Sequence, residues 1–154
     1  MQENQSTIRE FENTDLDCCT RVLIQAYNGE PWRNHWTDET ATRYLREFAE
    51  SKSFVGFVIC VGKEVVGAAF THVKTWWTSD ELFVDEIFIK PEMQRKGHGR
   101  ALLGAVEEYA KSRGLAGVTL LTNKYMPAKR FYERDGYVLA EHVVFMYKLA
   151  NGQQ

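Results

Sequence analysis

The residues with most chemical content are Gln94-Arg95-Lys96-Gly97-His98-Gly99-Arg100. Two glycines permit positive φ and let backbone come close to a ligand. A helical pattern follows at once, so unpaired N–H groups and the positive end of a helix dipole would face whatever binds there. Arg95, Lys96 and Arg100 add charge. Together these features suit a pyrophosphate. Two common phosphate loops do not fit. A Walker loop needs G-x-x-x-x-G-K-[ST], which Gly97 to Leu102 does not supply. A dinucleotide G-x-G-x-x-G would need glycine at Leu102 and an acidic residue about 20 positions further on. The plain alternative is a glycine turn with a solvated basic face.

Other reactive residue types are poorly grouped. Cys18, Cys19 and Cys60 are odd in number and two are adjacent, so neither a disulfide framework nor a CxxC site can be drawn. His35, His72, His98 and His142 show no HExxH spacing, and no metal site is expected. Four tryptophans form two pairs, Trp32/Trp36 and Trp76/Trp77, near Glu30, Asp80 and Glu81. Aromatic faces beside carboxylates suit an organic cation; packing at the core or its rim is the structural alternative.

The elements that must position these residues follow from periodicity. Thr7 to Phe11 reads as a short strand. Thr14 and Asp17 resemble a capping box opening a first helix, whose stripe is Leu16, Cys19, Leu23, Ala26 and Tyr27, ended by Asn28-Gly29. Glu30 to Trp36 is a loop. Thr37 caps a second helix with Ala41, Tyr44, Leu45, Phe48 and Ala49 on one face. Phe54–Val61 and Glu64–Val73 form a hairpin around Gly62-Lys63, and Glu81–Ile89 is the next strand, ended by Pro91. A helix runs from Gly99 to Arg113-Gly114, then a strand over Gly117–Thr122, a short helix from Pro127 to Gly136, and a last strand over Tyr137–Lys148. The order β-αα-βββ-α-β-α-β predicts an α+β fold. Its sheet is mixed but mostly antiparallel, with one parallel crossover between Glu81–Ile89 and Gly117–Thr122.

Composition sets the outer bounds. The 154 residues predict one domain, spanning 1–154, able to bury a core without staples. With 19 Lys+Arg against 21 Asp+Glu the net charge is −2, which offers no global field for nucleic acid. No apolar run approaches the roughly 20 residues of a membrane helix, and Met1 to Glu10 lacks the apolar stretch of a signal peptide. A cytoplasmic protein with no nucleic-acid or membrane partner is expected.

The context of the glycine loop is more specific than the loop itself. Q-x-x-G-x-G after a strand ending IFIKPE, and before a helix beginning RALL, resembles the acetyl-CoA loop of the GCN5-related N-acetyltransferase (GNAT) superfamily. Ala128 to Tyr137, AKRFYERDGY, resembles that superfamily's second signature, A-x-x-[FL]-Y-x-x-x-G-[FY]. The resemblance covers Phe54 to Tyr147 well and Gln5 to Lys52 by element order only. It implies the GNAT fold, in which the two parallel strands splay into an acetyl-CoA cleft. It also implies that backbone groups of Ile87, Phe88 and Ile89 pair with the pantetheine arm, and that those of Arg95, Lys96, Gly97, His98, Gly99 and Arg100 hold the pyrophosphate. Lys129 and Arg130 would lie near the nucleotide end or on a solvated helix face. One position departs from the pattern. Many members carry asparagine three residues before the helix alanine; here that residue is Tyr125, with Asn123 two residues earlier.

The implied activity is acetyl transfer from acetyl-CoA, a cosubstrate, to a primary amine. An ammonium with pKa near 10.4 must first lose a proton, and the departing thiolate must gain one. Asp85 is the first candidate for the base, at the position where aminoglycoside 6′-N-acetyltransferases carry an acidic residue. Glu86, which strand alternation points to the other face, is the second. Tyr132, in the Phe131-Tyr132 pair, is the candidate acid. Acceptor contacts are expected from Glu30, Trp32, Trp36, Trp76 and Asp85, and the resemblance is closest to the aminoglycoside 6′-N-acetyltransferase-like branch. A small cationic amine, aminoglycoside-like or polyamine-like, is the expected partner, bound by the same domain or with help from a partner subunit of a homodimer. Acetylation of a protein or peptide, and a CoA-binding module without catalysis, are the alternatives.

Overall fold

A computed structural model describes residues 5–152. They fall into two compact units, one ending at Leu121 and one starting at Thr122.

The first unit is a five-stranded sheet in chain order, β1 (Ser6–Glu10), β2 (Phe54–Val61), β3 (Glu64–Lys74), β4 (Glu81–Ile89) and β5 (Val118–Leu120). The first three pairings are antiparallel and β4·β5 is parallel. Helices α1 (Leu16–Asn28) and α2 (Asp38–Ala49) cover one face, where Leu23, Leu45, Val58, Ala68, Phe70 and Phe88 are buried together. Helix α3 (His98–Ser112) covers the other, against Ile59, Val66, Ala69, Leu82, Leu102 and Val106. Phe70 is fully buried, edge-on to Phe11 and Phe54 at centroid distances of 5.1 and 5.2 Å. Truncating such a ring to alanine costs about 3–5 kcal/mol.

Local signals explain the helix starts, with two differences from the sequence expectation. Thr37 caps α2 as expected, accepting from Thr40 N at 3.1 Å. The box expected at Thr14 and Asp17 forms two residues earlier, at Glu12 and Asp15. Asp15 accepts from Glu12 N at 2.8 Å and takes a two-pronged contact from Arg9 at 2.7 and 2.8 Å. The guanidinium at the end of β1 holds Asp15 below its ordinary 3.8, so the buried carboxylate stays charged and organises the turn. Helix α3 begins at His98, one residue earlier than read from sequence.

Strand β5 is shorter than expected, because β4 offers only Leu82, Val84 and Phe83 between them to Val118, Leu120 and Thr119 before its path changes. In the second unit, α4 (Pro127–Arg134) starts with proline as predicted and closes at Gly136, whose φ is 89°. The expected last strand over Tyr137–Lys148 does not form: no ladder partner exists for it among the described residues. Val138, Val144, Phe145, Met146 and Tyr147 are exposed there. β-Branched and aromatic residues give strand propensity, but only a paired neighbour makes a strand.

Candidate active site

Strand β4 is where the site is built. Its pairing with β5 stops at Val84 and Leu120, while its ladder with β3 continues to Ile89. Among the described residues, Asp85 to Ile89 therefore have a strand partner on one edge only, and the other edge leaves backbone donors and acceptors for an added strand. The approach of β3 there is close: a Cβ on Gly67 would lie 2.8 Å from the Phe88 carbonyl oxygen.

A bulge marks the same point. Phe70 pairs with Glu86 and the next residue, Thr71, with Val84, so Asp85 is the extra residue. Bulges re-aim side chains, and this one overturns the expected alternation. Val84 and Ile87 join the α3-side cluster, and Glu86 reaches α1 and α2 on the other face. Asp85 is expected opposite Glu86, but its carboxylate instead meets His72 on β3. His72 lies two residues beyond Phe70 and opposite Phe54, both in the α1/α2-side core, so it shares that face. Both carboxylates thus serve one side of the sheet.

Their surroundings differ. Asp85 Oδ2 is 2.7 Å from His72 Nδ1. Burial raises the Asp85 pKa above 3.8, and the imidazole pulls against that. Glu86 accepts from Tyr27 Oη at 2.8 Å and Tyr44 Oη at 2.6 Å. Its pKa is also raised, by burial first, with the two phenols opposing. Burial and the Glu86 charge push the Tyr44 phenol up, so it remains a donor.

The tyrosines connect Glu86 to the first tryptophan pair. Trp32 sits edge-on to Tyr27 at 5.5 Å, and Trp36 stacks on Tyr44 at 4.9 Å. Asn28 holds the loop to the end of α1 through two 2.8 Å bonds with the Trp36 backbone. Glu30 ion-pairs with Arg33 on the surface, so its charge is locally spent. Trp76 belongs to a different loop. It is 52% exposed, with Lys74 over its ring and Asp80 accepting from its N–H at 3.3 Å.

The basic loop fits a phosphate. Gln94 anchors it, donating through Nε2 to Ile89 O at 3.0 Å. The left-handed residues are Arg95 (φ 60°) and Gly97 (φ 85°). Gly99, also expected to supply positive φ, instead lies inside α3. Gly97 is the N-cap and offers no side chain, so the first N–H groups of α3, at His98 and Gly99, lack intrahelical acceptors. Arg95 and Lys96 are exposed beside them.

Tyr132 lies in the second unit, nearly buried, against Phe131 and Tyr137 at 5.2 and 5.6 Å. The same unit contains a cavity of about 390 Å³ lined by Lys124, Tyr125, Lys129 and Arg130 among others. Asn123 turns its Oδ1 onto the Tyr125 N–H at 2.9 Å. Among the described residues, no group of three or more His, Cys, Asp and Glu could hold a metal, and no helix is long and apolar enough to cross a membrane.

Sequence reasoning passed over His72, Tyr27 and Tyr44. The tyrosines read as members of helical core stripes, and a lone strand histidine carries no motif. The signal for His72 was pairing: the β3–β4 hairpin sets it opposite Phe83, next to the Asp85 bulge.

The family model of the Acetyltransferase (GNAT) family matches residues 20–137. An uncharacterised N-acetyltransferase of Methanocaldococcus jannaschii is 30% identical over 140 residues, covering 85% of this chain; the chain spans 60% of that relative's length. Among solved structures, a transcriptional regulator of Bacillus halodurans superposes with a TM-score of 0.76 at 25% identity, covering 93% of this chain and 99% of that one. The enzyme AAC(6')-Iy, bound to the bisubstrate analogue CoA-S-monomethyl-acetylneamine, gives 0.75 at 18% identity, with 96% and 100% covered.

Proposed function

The chain belongs to the acetyltransferase (GNAT) family, and from that premise we propose that it transfers an acetyl group from acetyl-CoA to the primary amine of a small cationic acceptor. The observation that carries this reading is the pair Asp85 and Glu86. Both are on one face of β4, at the point where its β5 edge becomes free. Trp32 and Trp36 reach Glu86 through Tyr27 and Tyr44. Carboxylates behind aromatic rings suit an ammonium group. An aminoglycoside N-acetyltransferase among the fold neighbours was solved with CoA, which supports the substrate class by analogy of fold.

Each step has residues to serve it. Acetyl-CoA supplies an activated acyl thioester. The exposed N–H groups at the start of α3, with Arg95 and Lys96, hold its pyrophosphate. The free edge of β4 over Ile87, Phe88 and Ile89 pairs with its amide arm. Lys129 and Arg130, on the cavity of the second unit, suit a further phosphate. Deprotonation of the ammonium falls to the Asp85 site, and Glu86 supplies negative charge to attract the cation. Tyr132 donates the proton that the leaving thiolate needs.

Free-thiol release from acetyl-CoA across aminoglycosides, polyamines and N-terminal peptides tests the reading. We expect release with small polycations, a melting temperature raised by acetyl-CoA, and a Tyr132→Phe variant that loses kcat with near-normal cofactor affinity. Release with peptides alone would move the acceptor class. Neither release nor stabilisation would sink the reading.

A further inference from the structure

We propose that His72 takes the proton from the acceptor's ammonium, and that Asp85 is a positioning residue acting through it. This rests on the acetyl-transfer reading above and names the proton acceptor within it. Asp85 has the raised charge cost of a buried carboxylate, yet its side chain is only 9% exposed and one oxygen is engaged with the imidazole. The His72 side chain is 32% exposed. Of the two, the imidazole is the group a substrate can touch.

The hydrogen bond also sets the tautomer. An ionised carboxylate can only accept, so Nδ1 carries the hydrogen toward Asp85 and the Nε2 lone pair is left as acceptor. Among the described residues no protein group bonds Nε2. The Phe83 ring, 5.4 Å away, limits rotation of the imidazole. A histidine is also better matched than a carboxylate to base catalysis near neutral pH, because its ordinary pKa lies close to the working pH.

The proton balance closes. The ammonium gives one proton to Nε2, and the new imidazolium is held by Asp85. The amine nitrogen then bonds the acyl carbon as the carbon–sulfur bond breaks. Tyr132 gives the sulfur its proton and regains one from the second proton the nitrogen sheds, and Nε2 returns the first to solvent.

The charged and titratable groups around this dyad are few. β4 supplies Asp85 and Glu86, α1 Tyr27 and α2 Tyr44. β3 adds Lys74 two residues on, and β2 presents only Phe54 opposite.

The test uses the full chain, with neamine and spermidine as acceptors. His72→Gln should lower kcat by about 10²-fold or more, leave the acetyl-CoA Kd within about twofold, and remove the acidic limb of the kcat/KM profile. Exogenous imidazole should restore part of the activity of His72→Ala, which a purely structural role would not allow. In case either variant folds poorly, ¹⁵N-imidazole spectra of the wild type give an independent reading. They should show Nδ1 protonated in the neutral form, and a titration midpoint equal to the kinetic acidic limb. The proposal is overturned if wild type turns over but His72→Gln keeps its rate and acidic limb, or if the two midpoints differ. If wild type acetylates neither amine, the acetyl-transfer reading fails first and this one with it.

Discussion

Asp85 and Glu86 are adjacent in β4, but their neighbours differ in kind. Asp85 meets a titratable imidazole that reaches solvent. Glu86 meets two phenols, fixed to α1 and α2, and burial keeps the Tyr44 phenol protonated. The bulge brings both to one face, and their partners then separate their tasks. In the proposed reaction one carboxylate orients the imidazole that takes the proton. The other accepts from two phenols, and its loss leaves the Tyr44 hydroxyl without its acceptor. Adjacent residues of the same charge thus divide between proton handling and positioning.

The largest expected effect breaks the Asp85 side. Asp85→Asn leaves the shape but removes the acceptor that fixes the His72 tautomer, so kcat should fall about 10²–10³-fold with little change in acetyl-CoA affinity. Steady-state rates with a titration of the cofactor check this. Next comes Glu86→Ala. It strands the Tyr44 hydroxyl, worth about 1–3 kcal/mol when left unsatisfied, while Tyr27 keeps the Ile87 carbonyl, and thermal unfolding should show a melting point lower by roughly 2–12 °C. A variant as stable as wild type would remove Glu86 from its positioning role.

A smaller effect lies at the loop. Gly97→Ala meets no side chain but forces φ of 85° on an L-residue, costing about 1–2 kcal/mol. Acetyl-CoA affinity measured by calorimetry should weaken about tenfold, with Tyr132 and Asp85 chemistry otherwise intact. An unchanged Kd would show that the loop conformation does not matter for binding.

The smallest effect is on pH-dependent stability. The folded pKa of Glu86 is raised above 4.5, so its contribution is fully present below that value and is lost as pH rises through the folded pKa. Wild type should therefore lose stability relative to Glu86→Gln as pH rises across that window. Asp15 works in the opposite direction: its folded pKa is lowered below 3.8, so its stabilisation is present at higher pH and is lost on acidification. The comparison with Glu86→Gln cancels the Asp15 contribution. Paired denaturant titrations from pH 4 to 8 measure it.

Much of the architecture is legible in the sequence. Phe54–Val61 and Glu81–Ile89 form strands with the bounds that their residue types predict, and Pro127 and Gly136 bracket α4. The binding loop is legible too, because glycine and charge at a helix start are local signals. The remainder depends on partners distant in sequence. A bulge at Asp85 is a property of its register with β3 and leaves no mark in ELFVDEIFI itself. Tyr27 and Tyr44 have the spacing of core residues, and only the position of Glu86 gives their hydroxyls a use. Tyr137–Lys148 has the β-branched and aromatic residues of a strand, but among the described residues no neighbour pairs with it.

The central claim, that two neighbouring carboxylates do different work, is tested most directly by kcat/KM against pH for Asp85→Asn and Glu86→Gln measured side by side on the same amine. The account predicts that Asp85→Asn moves the acidic limb to lower pH, because the carboxylate no longer holds the imidazolium, while Glu86→Gln keeps its midpoint with weaker acceptor binding. An Asp85→Asn variant with an intact limb, paired with a Glu86→Gln variant that has lost it, would contradict the account.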